Sequence, residues 1–455
     1  MIWSLLRGSF FIILLLGARS VAAQEPSAAD PPKAPASSQE ASSSQEASSE
    51  DDAKVTDAAA DAGTREAGDK QPGGLSAAEA APPVATGGEP PAPSEEYLKA
   101  FGELTAKFQA LRQELEQAVG DQREAYIRYV NREGNSEKSR QAFFDCRRKV
   151  RDLMDDTYMA ALEIMRAGVD KEAATFIVTM IQHRFNLDIY DDTTMEGAAR
   201  MIDGGAQLTY LYQAAARSAI VEGRFDMAKR LFEAIDEDQK VDVDRTLEFL
   251  LEEYKKSFEA EQLIREKEAQ EDRLPRVAIR TTQGDLVVEL FLDQAPSAVS
   301  NFIALVEQGF YDDLDFHQVI DHVIAMTGDP SGDGSGNSGK FLVDEHDRED
   351  ARKAFRGSLV MAKLPMGETG KLVPNSASSQ FAILYLPMLS VTEEQTVFGR
   401  VVEGMDVISR LRRVDPSKKK KKGEVVLPPD RIMDATVIRR PDTLPEPQYM
   451  DFSRQ

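Results

Sequence analysis

The chain has 455 residues, enough for two or three domains. Its 55 Lys and Arg against 78 Asp and Glu leave a formal net charge of −23, which excludes nucleic acid as a general partner because phosphate binding needs a basic surface. A lone cysteine, Cys146, excludes an internal disulfide and reads as a buried small hydrophobe rather than a nucleophile.

Residues 1–23 have the pattern of a secretory signal: Arg7, an apolar run over residues 10–16, and Val21-Ala22-Ala23 before Gln24. The run is shorter than the roughly 20 residues of a spanning helix. Cleavage and export to a periplasmic or extracellular location are therefore expected, leaving no stable membrane span; an uncleaved N-terminal anchor is the alternative. Residues 24–96 are mainly Ala, Ser, Pro, Glu, Asp and Gly, too poor in apolar side chains to offset backbone ordering entropy. They are expected to form a disordered acidic tether.

Residues 97–273 read as an all-helical domain. Tyr97, Phe101, Leu104, Phe108, Leu111, Leu115 and Ala118 recur at steps of four and three, a coiled-coil-like seam that Gly120 should end. A second helical stretch passes through Tyr126 and Tyr129. A third starts near Ser136, with Val150, Met154, Tyr158 and Leu162 on one stripe, Gly168 as its stop and Asp170 capping the next helix. Gly168-Val-Asp-Lys-Glu-Ala173 and Gly223-Arg-Phe-Asp-Met-Ala228 form a weak repeat of the tetratricopeptide kind. Its 55-residue spacing requires a further helix, near residues 194–201, and an irregular bundle is the other reading. Residues 244–271 are expected to be one long charged helix, a stiff arm leading into the next domain.

From residue 276 to 440 the pattern changes to short strands. Val277-Ala278-Ile279 and residues 286–290 flank a turn at Gln283-Gly284-Asp285. A helix faces inward through Val299, Phe302, Ile303 and Val306; a second carries Ile408 and Leu411; residues 432–438 close the set, and residues 441–455 form a tail. Residues 316–329, Phe-His-Gln-Val-Ile-Asp-His-Val-Ile-Ala-Met-Thr-Gly-Asp, read as a strand-like run before a Gly/Ser-rich loop. With Ser379-Gln380-Phe381-Ala382-Ile383, Thr396-Val397-Phe398-Gly399-Arg400, Ala295-Pro296-Ser297 and Gln308-Gly309-Phe310-Tyr311, this set resembles the cyclophilin family of peptidyl-prolyl isomerases.

For residues 276–440 the resemblance implies a closed antiparallel β-barrel with two capping helices, which after the helical domain makes the chain α+β. It also implies proline-containing polypeptides as partners and a reaction needing neither cofactor nor metal. In the family an Arg donates to the prolyl nitrogen; the matching residue here is Gln318. The substrate-binding positions map onto His317, Val323, Ile324, Met326, Ala362, Gln380, Phe381, Ala382 and Gln395, with Lys363 where Asn is usual and Ser390 where some members place Trp. Weak isomerase activity in a folding factor for envelope or secreted proteins is expected, with the helices binding protein partners. The alternative is an inactive cyclophilin-like binding module in an interaction scaffold, Gln318 then being an ordinary half-exposed strand residue.

Other signals are weaker. Residues 329–340 resemble the start of a calcium loop, but Lys340 stands where a bidentate Glu is required. His317 and His322, five apart in one strand, would point to opposite faces and make no metal pair. His346 reads as solvated in an acidic loop, and residues 418–422 are five lysines suited to an anionic surface or a solvated loop.

Overall fold

A computed structural model of the chain describes residues 94–131, 136–367, 370–418 and 428–450. The expected signal segment, nearly all of the acidic tether, four of the five consecutive lysines and the last residues of the tail lie outside them. Among the described residues no helix is long and apolar enough to cross a membrane.

Helix α1, Glu95–Val130, is capped by Ser94, whose hydroxyl accepts the Tyr97 N–H at 3.2 Å. It runs unbroken through Gly120, contrary to expectation. One exposed helical Gly costs about 1 kcal/mol, and burial of Ala118 and Ala125 on either side outweighs it. Helix α2, Ser136–Ala167, returns antiparallel: the Tyr97 hydroxyl reaches the Ala167 carbonyl at one end, while Tyr129 stacks on Phe143 at the other. Cys146 on α2 is half-buried rather than fully enclosed.

Helices α3 (Lys171–Asn186), α4 (Asp192–Asp203), α5 (Thr209–Val221) and α6 (Phe225–Glu233) follow, and each packs on its predecessor. Asp170 caps α3 as expected, accepting Ala173 N–H at 2.8 Å. The second repeat opening, at α6, has no side-chain cap, while α4 covers residues 194–201, where the further helix between the copies is expected. The likeness therefore extends to the buried Ala173 and Ala228 but not to the capping.

The predicted single arm is two helices, α7 (Asp242–Phe249) and α8 (Leu251–Glu271), broken at Leu250. Asp244 on α7 is held by Arg217 of α5 in a fully buried ion pair, 2.7 Å, and takes Gln213 Nε2 at 2.7 Å. Tyr254 on α8 reaches in the opposite direction, donating to the Pro387 carbonyl at 3.0 Å. The chain bends between these two anchors. Nor is α8 a free arm: Glu261 and Glu268 pair with Arg352, and Glu268 also pairs with Arg400.

Eight antiparallel strands follow: β1 (Arg276–Thr281), β2 (Gly284–Leu290), β3 (Gln318–Ile320), β4 (Ile324–Thr327), β5 (Ser358–Met361), β6 (Phe381–Leu384), β7 (Val397–Glu403) and β8 (Ile432–Arg439). Their order is β3-β4-β6-β5-β7-β2-β1-β8, a curled half-barrel rather than a fully laddered closed barrel. The end strands meet beside an isolated bridge, Asp315 to Arg431, with Phe316 N–H donating to the Asp430 carbonyl at 2.8 Å. The concave core joins Val288, Val319, Leu359, Phe381 and Phe398 to Val299, Phe302 and Ile303 of helix α9, Pro296–Glu307. Of the two capping helices expected, the second is a five-residue turn, α10, Met405–Ser409.

Removing one partner of a buried ion pair leaves an uncompensated charge. Asp244→Ala is expected to lower unfolding stability by about 3–5 kcal/mol, and adding Arg217→Met should recover much of that loss. Urea midpoints of the full chain measure both. A single-variant loss below about 1 kcal/mol would show that this pair does not hold the helices.

Candidate functional site

Residues 316–329 form a hairpin, not one strand. Gln318 pairs with Met326, Val319 with Ala325 and Ile320 with Ile324, around a turn at Asp321-His322-Val323. Val319 and Ala325 belong to the concave core. Alternation therefore puts Gln318, Ile320, Ile324 and Met326 on the other face. There Ile320, Val323, Ile324 and Met326 join Val360, Ala382 and Val397, with Ala362, Met388 and Val391 partly buried around them, in a separate apolar cluster.

The structure thus brings together five of the predicted site residues: Val323, Ile324, Met326, Ala362 and Ala382. Gln318 lies at the edge of their face, buried (7% exposed) rather than half-exposed. Phe381 does not belong to the site. It neighbours Ala382 in a strand and so points the other way, packing edge-on to Phe302, Tyr311 and Phe398 in the concave core. Gln380 and Gln395 act as clamps. Gln380 Nε2 donates to the carbonyls of Gly334 and Gly336 at 3.0 and 2.7 Å, pinning the Gly-rich loop, and Gln395 Nε2 donates to the Met361 carbonyl at 2.9 Å. Gly328 brings the hairpin onto Ser379: at φ +87° a Cβ would lie 2.3 Å from the Ser379 carbonyl oxygen.

Charge near this face is largely neutralised. Lys363 Nζ is held by Asp344 at 2.6 Å and the Glu394 carbonyl at 2.9 Å. Asp329 spends its carboxylate on the N–H groups of Ser331, Asp333 and Gly334, which orders the loop that resembles a calcium site. His317 is buried with neither ring nitrogen hydrogen-bonded among the described residues, and burial pushes its pKa down despite Asp329, Asp333 and Asp315 nearby. His346 is half-buried rather than solvated, its Nδ1 also without a partner among the described residues. The apolar cluster also includes Phe291. At its far side the guanidinium of Arg352 lies 3.9 Å from the centre of the Phe291 ring and is paired with Glu261 and Glu268. The chemistry available is an apolar surface with a neutral amide beside it.

Two rims of this face belong to the helices, which sequence reasoning missed. Leu386 and Leu389 pack into the helical core, next to the Pro387 carbonyl that Tyr254 holds. At the hairpin turn, His322 has φ +64°, a conformation uncommon for a non-glycine residue. Asp188 stabilises it there: Oδ2 accepts the His322 N–H at 3.0 Å and Oδ1 meets the ring Nδ1. His322 consequently faces the helices, while His317 lies before the turn. No sequence signal links residues 134 positions apart.

Comparison with known proteins places a family on the second half. The model for cyclophilin type peptidyl-prolyl cis-trans isomerase matches residues 276–437. Peptidyl-prolyl cis-trans isomerase-like 1 of Gibberella zeae is 30% identical over 168 residues, covering 37% of this chain and 98% of that protein. Peptidyl-prolyl cis-trans isomerase-like 2 of the same organism is 40% identical over 139 residues, but the match spans only 30% of this chain and 22% of the relative. A crystal structure of a Cryptosporidium parvum cyclophilin type isomerase in the presence of the dipeptide Ala-Pro is 31% identical, with a TM-score of 0.30, over 36% of this chain and 98% of that one.

The clamp on the hairpin has a pH signature. Burial raises the Asp188 pKa, but the His322 hydrogen bond and charge, together with Arg413, outweigh it and hold the carboxyl below its usual range. A depressed folded pKa contributes stability that is complete above the unfolded value, about 4, and is lost as pH falls through the folded one. Asp188→Asn should therefore lower the urea midpoint at pH 7, with the gap to wild type narrowing below about pH 4. A gap unchanged by acid would remove the carboxylate from this role.

Proposed function

Because the chain belongs to the cyclophilin-type peptidyl-prolyl cis-trans isomerase family through residues 276–437, we propose that it binds proline-containing polypeptides on the face formed by Val323, Ile324, Met326 and Ala382 and isomerises them slowly. An X-Pro bond rotates against a barrier of about 18–20 kcal/mol because amide resonance must be broken. Lowering it takes an apolar seat for the ring and a donor aimed at the prolyl nitrogen as that nitrogen gains its lone pair.

The observation that carries this reading is the position of Gln318, across from Met326 on the apolar face. Its amide donates without a charge. Replacing the charged donor of the family by a neutral one should forfeit about 2.7–4 kcal/mol of transition-state stabilisation, by analogy with oxyanion-hole deletions. Ala382 leaves the ring less to pack against than the aromatic residue it replaces. Residues 1–23, read as an export signal, direct the proposal toward exported polypeptides as clients, with the helices offering a second surface for protein partners.

A proline-isomerisation assay on a short peptide, run on the full chain, tests this. Gln318→Arg is expected to raise kcat/KM by about 10²–10³ over a measurable wild-type value. Equal turnover in both forms would show that the missing charge is not the limit. No turnover in either, with proline-peptide binding retained, would make the face a binding module.

A further inference from the structure

A long groove among the described residues lies away from the prolyl face. It holds about 1180 Å³ and runs between the α1–α2 hairpin, the end of α3, the β1–β2 turn and the start of β8. Although the chain carries a net charge of −23, arginines outnumber carboxylates among the lining residues. Several of them are neutralised in place, as Arg410 is by Asp155 and Asp406. Others are not. Arg147 and Arg148 make no ion pair or hydrogen bond among the described residues. Among the described residues the Arg412 guanidinium donates only to the Pro428 carbonyl, while Arg151 is partly neutralised, donating to the Gln283 carbonyl and pairing with the largely exposed Asp152.

Arg147 is the most telling of these. It is half-buried on α2, and Arg151 and Arg412 add their positive charge to its surroundings. The carboxylate that draws it, Asp430, already accepts from Thr282, Gln283 and the Arg412 N–H. Burial and the two neighbouring guanidiniums hold its pKa below the usual arginine value, so an added anion would relieve a cost already present. At the hairpin end of the same groove, Tyr126 and Phe143 stand 5.4 Å apart between ring centres, offering apolar seats.

We propose that this groove binds an Asp/Glu-rich polypeptide segment with interspersed apolar side chains, its carboxylates pairing with Arg147, Arg148 and Arg412 and its apolar groups lying on the aromatic end. The volume exceeds what a small anion needs. Asp155, Asp285 and Asp313 along the walls, with the net charge beyond them, disfavour the continuous phosphates of a nucleic acid.

Fluorescence anisotropy of the full chain with a short labelled peptide alternating Glu or Asp with Leu and Phe, beside its Gln/Asn counterpart, tests the proposal. At physiological ionic strength the acidic peptide should bind at least about tenfold more tightly than the counterpart, and added salt should weaken it. Arg147→Met and Arg412→Met should each cost about tenfold or more in affinity. Arg148→Met, at an exposed position, should act in the same direction and serves if either of the others fails to fold, while Lys229→Met on α6 should bind as wild type. Equal binding of the two peptides, arginine variants that bind as wild type, or tighter arginine-dependent binding of duplex DNA would each overturn it.

Discussion

The buried carboxylate of Asp188 ties the connection between α3 and α4 to the β3–β4 turn. The residue has φ +59° and is fully enclosed. Beyond its two contacts to His322, it takes Arg413 at 2.7 Å and the Tyr190 hydroxyl at 3.0 Å, and its own carbonyl accepts from Ser409 at 3.0 Å. Desolvating a carboxylate costs several kcal/mol, and only charged or closely fitted donors offset it. Besides the neighbouring Tyr190, the carboxylate's donors come from a hairpin and from the segment after α10, so it is fully satisfied only when both have arrived. Behind it the Tyr190 hydroxyl accepts from Arg217 at 3.0 Å, and Arg217 is neutralised by Asp244. A continuous polar chain thus leads from the middle of the helices to the turn that sets the prolyl face.

That route gives the helices a stake in the site although none of their side chains belongs to its apolar cluster. The β3–β4 turn places Gln318 on one side and Ile324 with Met326 on the other, and the turn is shaped by Asp188. The opposite rim, Leu386 to Leu389, is packed into the helical core and hydrogen-bonded to Tyr254. A ligand on this face therefore meets two edges whose positions are set by helix packing, and rearrangement of α3 or α8 would reach both. The low exposure of the cluster's buried members, from 0% at Ala354 to 8% at Val323, accords with the same closure.

What the sequence reveals divides along the range of the forces involved. The β1–β2 turn, the cap at Asp170 and the inward face of α9 depend on neighbours within a few residues, and periodicity and turn chemistry find them. Gly120 misleads because a local propensity of about 1 kcal/mol is smaller than the packing on either side of it. The break at Leu250 has no Gly or Pro to announce it; it arises because Asp244 and Tyr254 are anchored to different layers. The turn at His322 is equally silent, since its left-handed backbone is stabilised by a residue 134 positions away. Phe381 is a further kind of miss: the motif around it is legible, but a period of two assigns adjacent residues to opposite faces, and only Ala382 reaches the cluster.

The distribution of guanidiniums separates structural arginines from the exceptions. Arg352 is almost fully enclosed and takes Glu261 and Glu268, while Arg400 takes Glu268 and Glu289. Arg217 takes Asp244, and Arg413 takes Asp188 and Asp321. Each of these arginines, removed from water at a junction between packed elements, has a carboxylate within ion-pair distance, as the desolvation cost of a lone charge demands. In a chain with 78 acidic residues such partners are abundant, so leaving an arginine without one is not a matter of shortage. Arg356 and Arg147 depart from that rule in different ways: Arg356 donates instead to the Tyr385 carbonyl and the Ser409 hydroxyl, whereas Arg147 is open to a groove, where a carboxylate can still arrive from outside.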